Sequence, residues 1–190
     1  RDMEITETVA IHRFLTTRQI CRFQFIEKPT KTAALRSANR VLAKLRDLRV
    51  LVSLERRIGG VRAGSGSYVW GLGPVGARLL NQANRVQELP VRHRAHEPSL
   101  TFLKHTLAVA EVALRLAEAQ RAGRFAIMDI QHEPACWRTY NGSGGGTLRI
   151  KPDLAVVSAT EDFEDHWFFE VDLATEPPSR VVRTCLNYQE

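Results

Sequence analysis

Asp153, Glu170 and Asp172 have the residue types and spacing for metal-dependent chemistry. The stretches KPDLAVV (151–157) and WFFEVD (167–172) each read as an apolar strand with carboxylates inside or against it. Side chains alternate across a strand, so Glu170 and Asp172 are expected on one face, with Phe169 and Val171 on the other. Pairing of the two strands through the 158–165 loop brings Asp153 alongside them. Three carboxylates so placed repel one another unless a cation or protons intervene. Oxygen-rich clusters suit Mg²⁺ or Mn²⁺, and such an ion generates hydroxide and stabilises charge on a phosphate during strand cleavage. The plainer alternative makes Asp153, after Pro152, a strand-entry turn. Glu170 is harder to dismiss, because an acid inside WFFEV is costly unless paired or exposed at an edge.

A second set of residues carries the opposite charge. Residues 1–95 hold 18 Lys+Arg against 7 Asp+Glu, whereas residues 96–190 hold 9 against 14. A basic half of this strength favours a polyanion as partner. In it, TKTAALRSANRVLAKLRDLRVL is the clearest helix, with Leu35, Ala38, Leu42, Leu45 and Leu48 as an apolar stripe. Arg36, Arg40 and Lys44 fall opposite, with Ser37 and Asn39 beside them. Two shorter helices are expected before it, over 3–15 and from the Thr16–Thr17 cap. Two strands follow, VLVSLERR and SYVWGL, joined by IGGVRAGSG, so that Arg56, Arg57 and Arg62 cluster at a glycine-rich hairpin. Three helices followed by such a hairpin is the order of a winged helix-turn-helix, whose third helix enters the major groove while the wing touches backbone or minor groove. Arg and Asn can read base edges, and the wing arginines bind phosphate. A solvated helix face is the bland alternative for Arg36, Arg40 and Lys44.

These residues need positioning elements, and the expected organisation is α+β in two domains. Residues 1–89 form the first domain, closed by a helix over 73–84. Residues 90–98, bounded by Pro90 and Pro98, form a linker whose His93 and His96 lack a third metal ligand nearby. Residues 99–190 form the second, in the order helix, strand, strand, strand, helix. Its long helix starts at the Ser99 cap and ends at Gly123. On it His105 reads as a buried, hydrogen-bonded histidine and Glu111 as an exposed partner of Lys104 and Arg115. In the last helix, Val182, Leu186 and Tyr188 are expected to lean inward.

Composition narrows the classes further. At 44% apolar and 25% charged residues the chain is globular. No apolar run is long enough to span a membrane, and the acidic start RDMEITETV is unlike a signal peptide. Cys21, Cys136 and Cys185 are odd in number and widely spaced, which points to a reducing, cytoplasmic setting.

The pattern Pro152-Asp153, a strand, then Glu170-x-Asp172 resembles the PD-(D/E)XK core of restriction-type nucleases. More narrowly, the basic winged helix followed by HTLAVAEVALRL, KPDLAVV, FFEVDLATEP and a helix bearing Arg183 and Tyr188 resembles the replication-relaxation family of plasmids and integrative elements, which is related to some mobilisation relaxases. That resemblance implies a role at an origin in replication or conjugative transfer. It implies double-stranded DNA as partner, with a homodimer and other replication or relaxosome proteins as further partners. Asp153 and Glu170 match the family's metal-binding acids, and His105 and Glu133 the places of a histidine and an acid. Asp172 departs from the pattern by occupying the position of the nuclease lysine. Arg183 or Lys151 could supply the missing cation, although an arginine stays protonated and could stabilise charge only. The chain ends inside the last helix, so the nuclease-like core is expected to be incomplete at its C-terminus. Metal-dependent nicking through Asp153, Glu170, Asp172 and Arg183 is one alternative to DNA binding alone. A transcriptional regulator whose acidic half senses a ligand or dimerises is another.

Overall fold

The computed structural model describes residues 1–58, 67–83, 98–142, 144–174 and 176–189, in which helices mix with small antiparallel sheets. Two compact units emerge, Arg1–Leu114 and Arg115–Glu190. The division falls inside a long helix, later in the chain than the proline-bounded segment 90–98, of which residues 90–97 lie outside the described set.

The N-terminal unit begins with α1 (Asp2–His12), which buries Ile5 and Val9. The helix stops short of residue 15 because Arg13 turns left-handed, at φ 64°, and sends the chain into β1 (Phe14–Thr16), a strand that local periodicity does not reveal. Thr16 then caps α2 (Thr17–Gln24): its hydroxyl accepts the Gln19 N–H, and the Gln19 side chain accepts the Thr16 N–H. This reciprocal capping box satisfies two donors that a helix start otherwise leaves unpaired. Helix α3 (Lys31–Asp47) is capped by Thr30, and its buried stripe is Ala34, Ala38, Leu42 and Leu45. Leu35 and Leu48, expected in that stripe, are instead 37% and 54% exposed. Ala34 takes the inward place because the 4-4-3 spacing from it runs straighter along the helix.

Strands β2 (Leu51–Ile58) and β3 (Ser67–Leu72) pair antiparallel, and β1 adds on the far side of β3, giving the order β1-β3-β2. Trp70 on β3 is 4% exposed and donates its indole N–H to Thr17 Oγ1 at 2.9 Å, so the ring enters the core with its polar atom satisfied. Helix α4 (Pro74–Gln82) starts on a proline, which is pre-set for the first helical turn. The first turns of α5 (Leu100–Arg121) set Leu103 and Leu107 against Val69, Phe14 and Leu54.

Among the described residues the C-terminal unit holds five strands, two more than expected. β4 (Ala126–His132), β7 (Leu154–Ala159) and β8 (Glu164–Phe169) form an antiparallel sheet in the order β4-β7-β8, and β5 (Arg138–Asn141) pairs with β6 (Thr147–Ile150) as a separate hairpin. The single strand expected over LRIKPDLAVV is broken at Lys151-Pro152-Asp153, since proline cannot donate to a ladder. Leu154, Ala155 and Val156 on β7 are all buried, so successive residues of this central strand are covered on both faces. α6 (Pro178–Asn187) differs from expectation: it buries no residue, and Val182 and Leu186 are 57% and 54% exposed. Its length and position match the sequence reading, and of the three residues expected inward Tyr188, just past the helix, is half-buried. All three cysteines are free, and among the described residues no helix is long and apolar enough to cross a membrane.

Gly76 on α4 tests the packing of the N-terminal unit. A Cβ there would collide with the Val50 carbonyl oxygen and lie 2.8 Å from Leu72 Cδ1. Alanine gains about 1 kcal/mol of helix propensity over glycine, but overpacking against a backbone atom costs about 1–3 kcal/mol. Gly76→Ala is expected to lower the melting temperature by a few degrees in a circular-dichroism melt; a rise would show that α4 is free to shift.

Candidate functional site

The basic face of α3 is built by the burial of its other face. With Ala34, Ala38, Leu42 and Leu45 inward, the 3.6-residue period turns Arg36 and Arg40 to the opposite side, and both are exposed. Asn39 is exposed beside them, Ser37 is half-buried, and Leu35 is an exposed apolar side chain on the same helix. Lys44 sits on the flank and is engaged by Asp2 of α1, with Nζ 2.8 Å from Oδ2. Thus Arg36, Asn39 and Arg40 form the compact group, and Lys44 joins it only by leaving an exposed ion pair. Arg56 and Arg57 fall on β2 with side chains outside what is described, and Arg62 lies outside the described residues.

Helix α2 is held behind α3 by polar contacts to α5. Gln19 donates to the Leu107 carbonyl at 2.9 Å, and Arg22 Nη1 donates to both carboxylate oxygens of Glu111, at 2.7 and 3.0 Å. Glu111 therefore reaches across to α2, a partner that the spacing along its own helix does not suggest. His105 lies half-buried on the same helix.

The three acids of the C-terminal unit do not meet as alternation predicts. β8 ends at Phe169, so Glu170 and Asp172 lie beyond the strand and the rule that would place them on one face does not apply. Asp153 is 7% exposed, and its Oδ2 accepts the Val171 N–H at 2.7 Å. Its own N–H donates to the Phe169 carbonyl. The carboxylate thereby fastens the segment after β8 to the start of β7. Next to it, Cys136 Sγ donates to the Pro152 carbonyl at 2.9 Å, and burial pushes this thiol up to about 11.

Glu170 is exposed as a residue, yet its carboxyl end accepts the Tyr188 hydroxyl at 2.7 Å. Desolvation is the main cause that raises its pKa above the ordinary glutamate value; the Tyr188 bond opposes it, and the charges of Asp153, Glu176 and Glu133 add to it. Burial, the hydrogen bond to Glu170 and its charge hold the Tyr188 hydroxyl protonated far above the ordinary tyrosine range. The pair lines a cleft of about 270 Å³ together with Arg149, Lys151, Glu176 and Arg180. Arg183, the cation expected here, does not line it; Arg180 does, one turn earlier. Lys151 does line it and also lies 4.7 Å over the Trp137 ring. Arg149 and Arg180 escaped the sequence reading, although signals existed: Arg180, Thr184 and Tyr188 repeat at four residues along α6, and Arg149 and Lys151 are two apart.

Among the described residues no group of three or more His, Cys, Asp or Glu side chains is placed to hold an ion. Asp153 accepts a backbone N–H on one carboxylate oxygen, and Glu170 accepts a phenol O–H on one of its own. The family described as replication-relaxation matches residues 7–190. No curated protein and no solved structure matches the chain.

The raised pKa of Glu170 gives a stability test with a definite sign. Its protonated form is favoured by the fold, so its contribution is fully present below the ordinary glutamate pKa and is lost as pH rises through the raised value. Glu170→Gln keeps an acceptor for Tyr188 and removes the charge. The variant is expected to melt higher than the parent at pH 7, with the difference closing as pH falls below the ordinary glutamate value. Equal melting temperatures throughout would show that the carboxylate is fully solvated.

Proposed function

The chain belongs to the replication-relaxation family, and from that premise we propose that it is a double-stranded DNA-binding protein acting at a plasmid or mobile-element origin. The observation that carries this reading is the outward group Arg36, Asn39 and Arg40 on a helix whose opposite face is fixed by a buried core. The element order α1-β1-α2-α3-β2-β3, with an antiparallel sheet ordered β1-β3-β2, supports a winged helix-turn-helix. In that reading α3 enters the major groove, where Arg pairs with guanine and Asn with adenine. The hairpin between β2 and β3 acts as the wing. The excess of Lys+Arg in residues 1–95 supplies the sequence-independent attraction to phosphate. The C-terminal unit is a nuclease-like scaffold that binds DNA, with Asp153 and Glu170 each held by a protein donor. Its setting is cytoplasmic, and its partners are origin DNA and other replication or relaxosome proteins.

Arg36→Ala and Arg40→Ala are each expected to cost about 1–3 kcal/mol of binding to a cognate duplex if they contact bases, or to reduce the salt slope by about 1 if they contact phosphate. A fluorescence-anisotropy titration across KCl concentrations separates the two. An unchanged affinity and slope in both variants would remove α3 as the reading helix.

A further inference from the structure

We propose that the cleft of the C-terminal unit is a second nucleic-acid contact, in which Arg149, Lys151 and Arg180 bind a phosphodiester beside the Glu170–Tyr188 pair. This rests on the DNA-binding reading above and adds a site that α3 does not supply.

Three cations and two carboxylates, Glu170 and Glu176, line the same small cavity. Among the described residues neither Arg149 nor Lys151 has a carboxylate partner, and both are exposed. Arg180 is held by Glu176 at 3.4 Å, an exposed pair of the kind that contributes little and exchanges readily. Desolvation disfavours the charge of Glu170, the Tyr188 hydrogen bond opposes this, and neighbouring carboxylates add to it. The cleft therefore leans towards an anion. Its volume of about 270 Å³ lies just under the ~300–1,000 Å³ of pockets that enclose drug-sized ligands. It suits a phosphate group and part of a sugar better than an entire nucleotide cofactor. Guanidinium forks match phosphate oxygens in pairs, while the Lys151 ammonium adds a point charge. Arg149 and Lys151 come from one end of the β5–β6 hairpin and Arg180 from α6, so a strand lying across the cleft would touch both elements. A free phosphate ion offers the same chemistry, and the experiment separates the two sources.

The test uses the full chain, a fluorescein-labelled duplex and its separated strands. Anisotropy is read over a range of KCl, and melting is read with inorganic phosphate added. Arg149→Gln/Arg180→Gln is expected to weaken binding roughly tenfold or more and to lower the log–log salt slope by about two. Both arginines are exposed, and Lys151→Gln, with a slope lower by about one, carries the test if the double variant does not fold. Parent affinity and slope in these variants, while the α3 variants bind more weakly, would overturn the cleft and leave the α3 reading intact. Loss only in the cleft variants would keep the cleft and overturn the α3 reading. Stabilisation by inorganic phosphate that disappears in the double variant, with DNA binding unchanged, would overturn the nucleic-acid assignment in favour of a free anion.

Discussion

The bond from the Val171 N–H to the Asp153 carboxylate is the constraint on which the C-terminal unit depends. Asp153 is 7% exposed, and an acid so placed is tolerated only with compensating donors. Accepting the amide at 2.7 Å ends β8 at a fixed point and directs the following residues along the start of β7. Glu170 consequently emerges where the Tyr188 hydroxyl can reach it. A carboxylate that looks catalytic in sequence is thus first a structural brace. The cleft beside Glu170 is lined by other residues, among them Arg149, Lys151, Glu176 and Arg180.

In the N-terminal unit the same logic works through apolar burial. The core made by Ile5, Val9, Leu15, Ile20, Leu42 and Leu51, each 0% exposed, fixes the rotation of α3 about its own axis. Rotation decides which side chains face outward, so the exposed group Arg36, Asn39 and Arg40 is specified by residues buried on the opposite face. Exposed ion pairs such as Lys44–Asp2 contribute little to that geometry. They leave the lysine available at modest cost.

How much of this was legible in the sequence depended on the range of the interactions involved. The Thr16 cap, the body of α3, the hairpin strands around 51–72 and the exposed Arg36–Arg40 pair follow from spacing within one or two turns, and the structure places them so. β1 was not legible, because three residues become a strand only by pairing with Gly71, Trp70 and Val69 far along the chain. The separate β5–β6 hairpin and the end of β8 were hidden for the same reason: the partner strand decides them. α6 misled more directly. Its apolar residues suggested an inward face, yet the side that lines the cleft carries Arg180, Thr184 and Tyr188, and Val182 and Leu186 face out. Arg183 enters through the family resemblance of the helix that bears it and Tyr188, whereas helical phase sets Arg180 on the cleft.

Gln19 carries a consequence for which sequences this fold can accept. Its amide oxygen receives the Thr16 backbone N–H, and its amide nitrogen donates to the Leu107 carbonyl eighty-eight residues away. Capping boxes ordinarily take glutamate or glutamine at this place with little preference. Here only a side chain that accepts at one end and donates at the other can serve both, and a carboxylate would face a carbonyl and the Glu111 carboxylate. A local interchangeability has been cancelled by a distant neighbour. In relatives that keep this arrangement of α2 and α5, glutamate should therefore be missing from the one helix-start position where it would ordinarily be welcome.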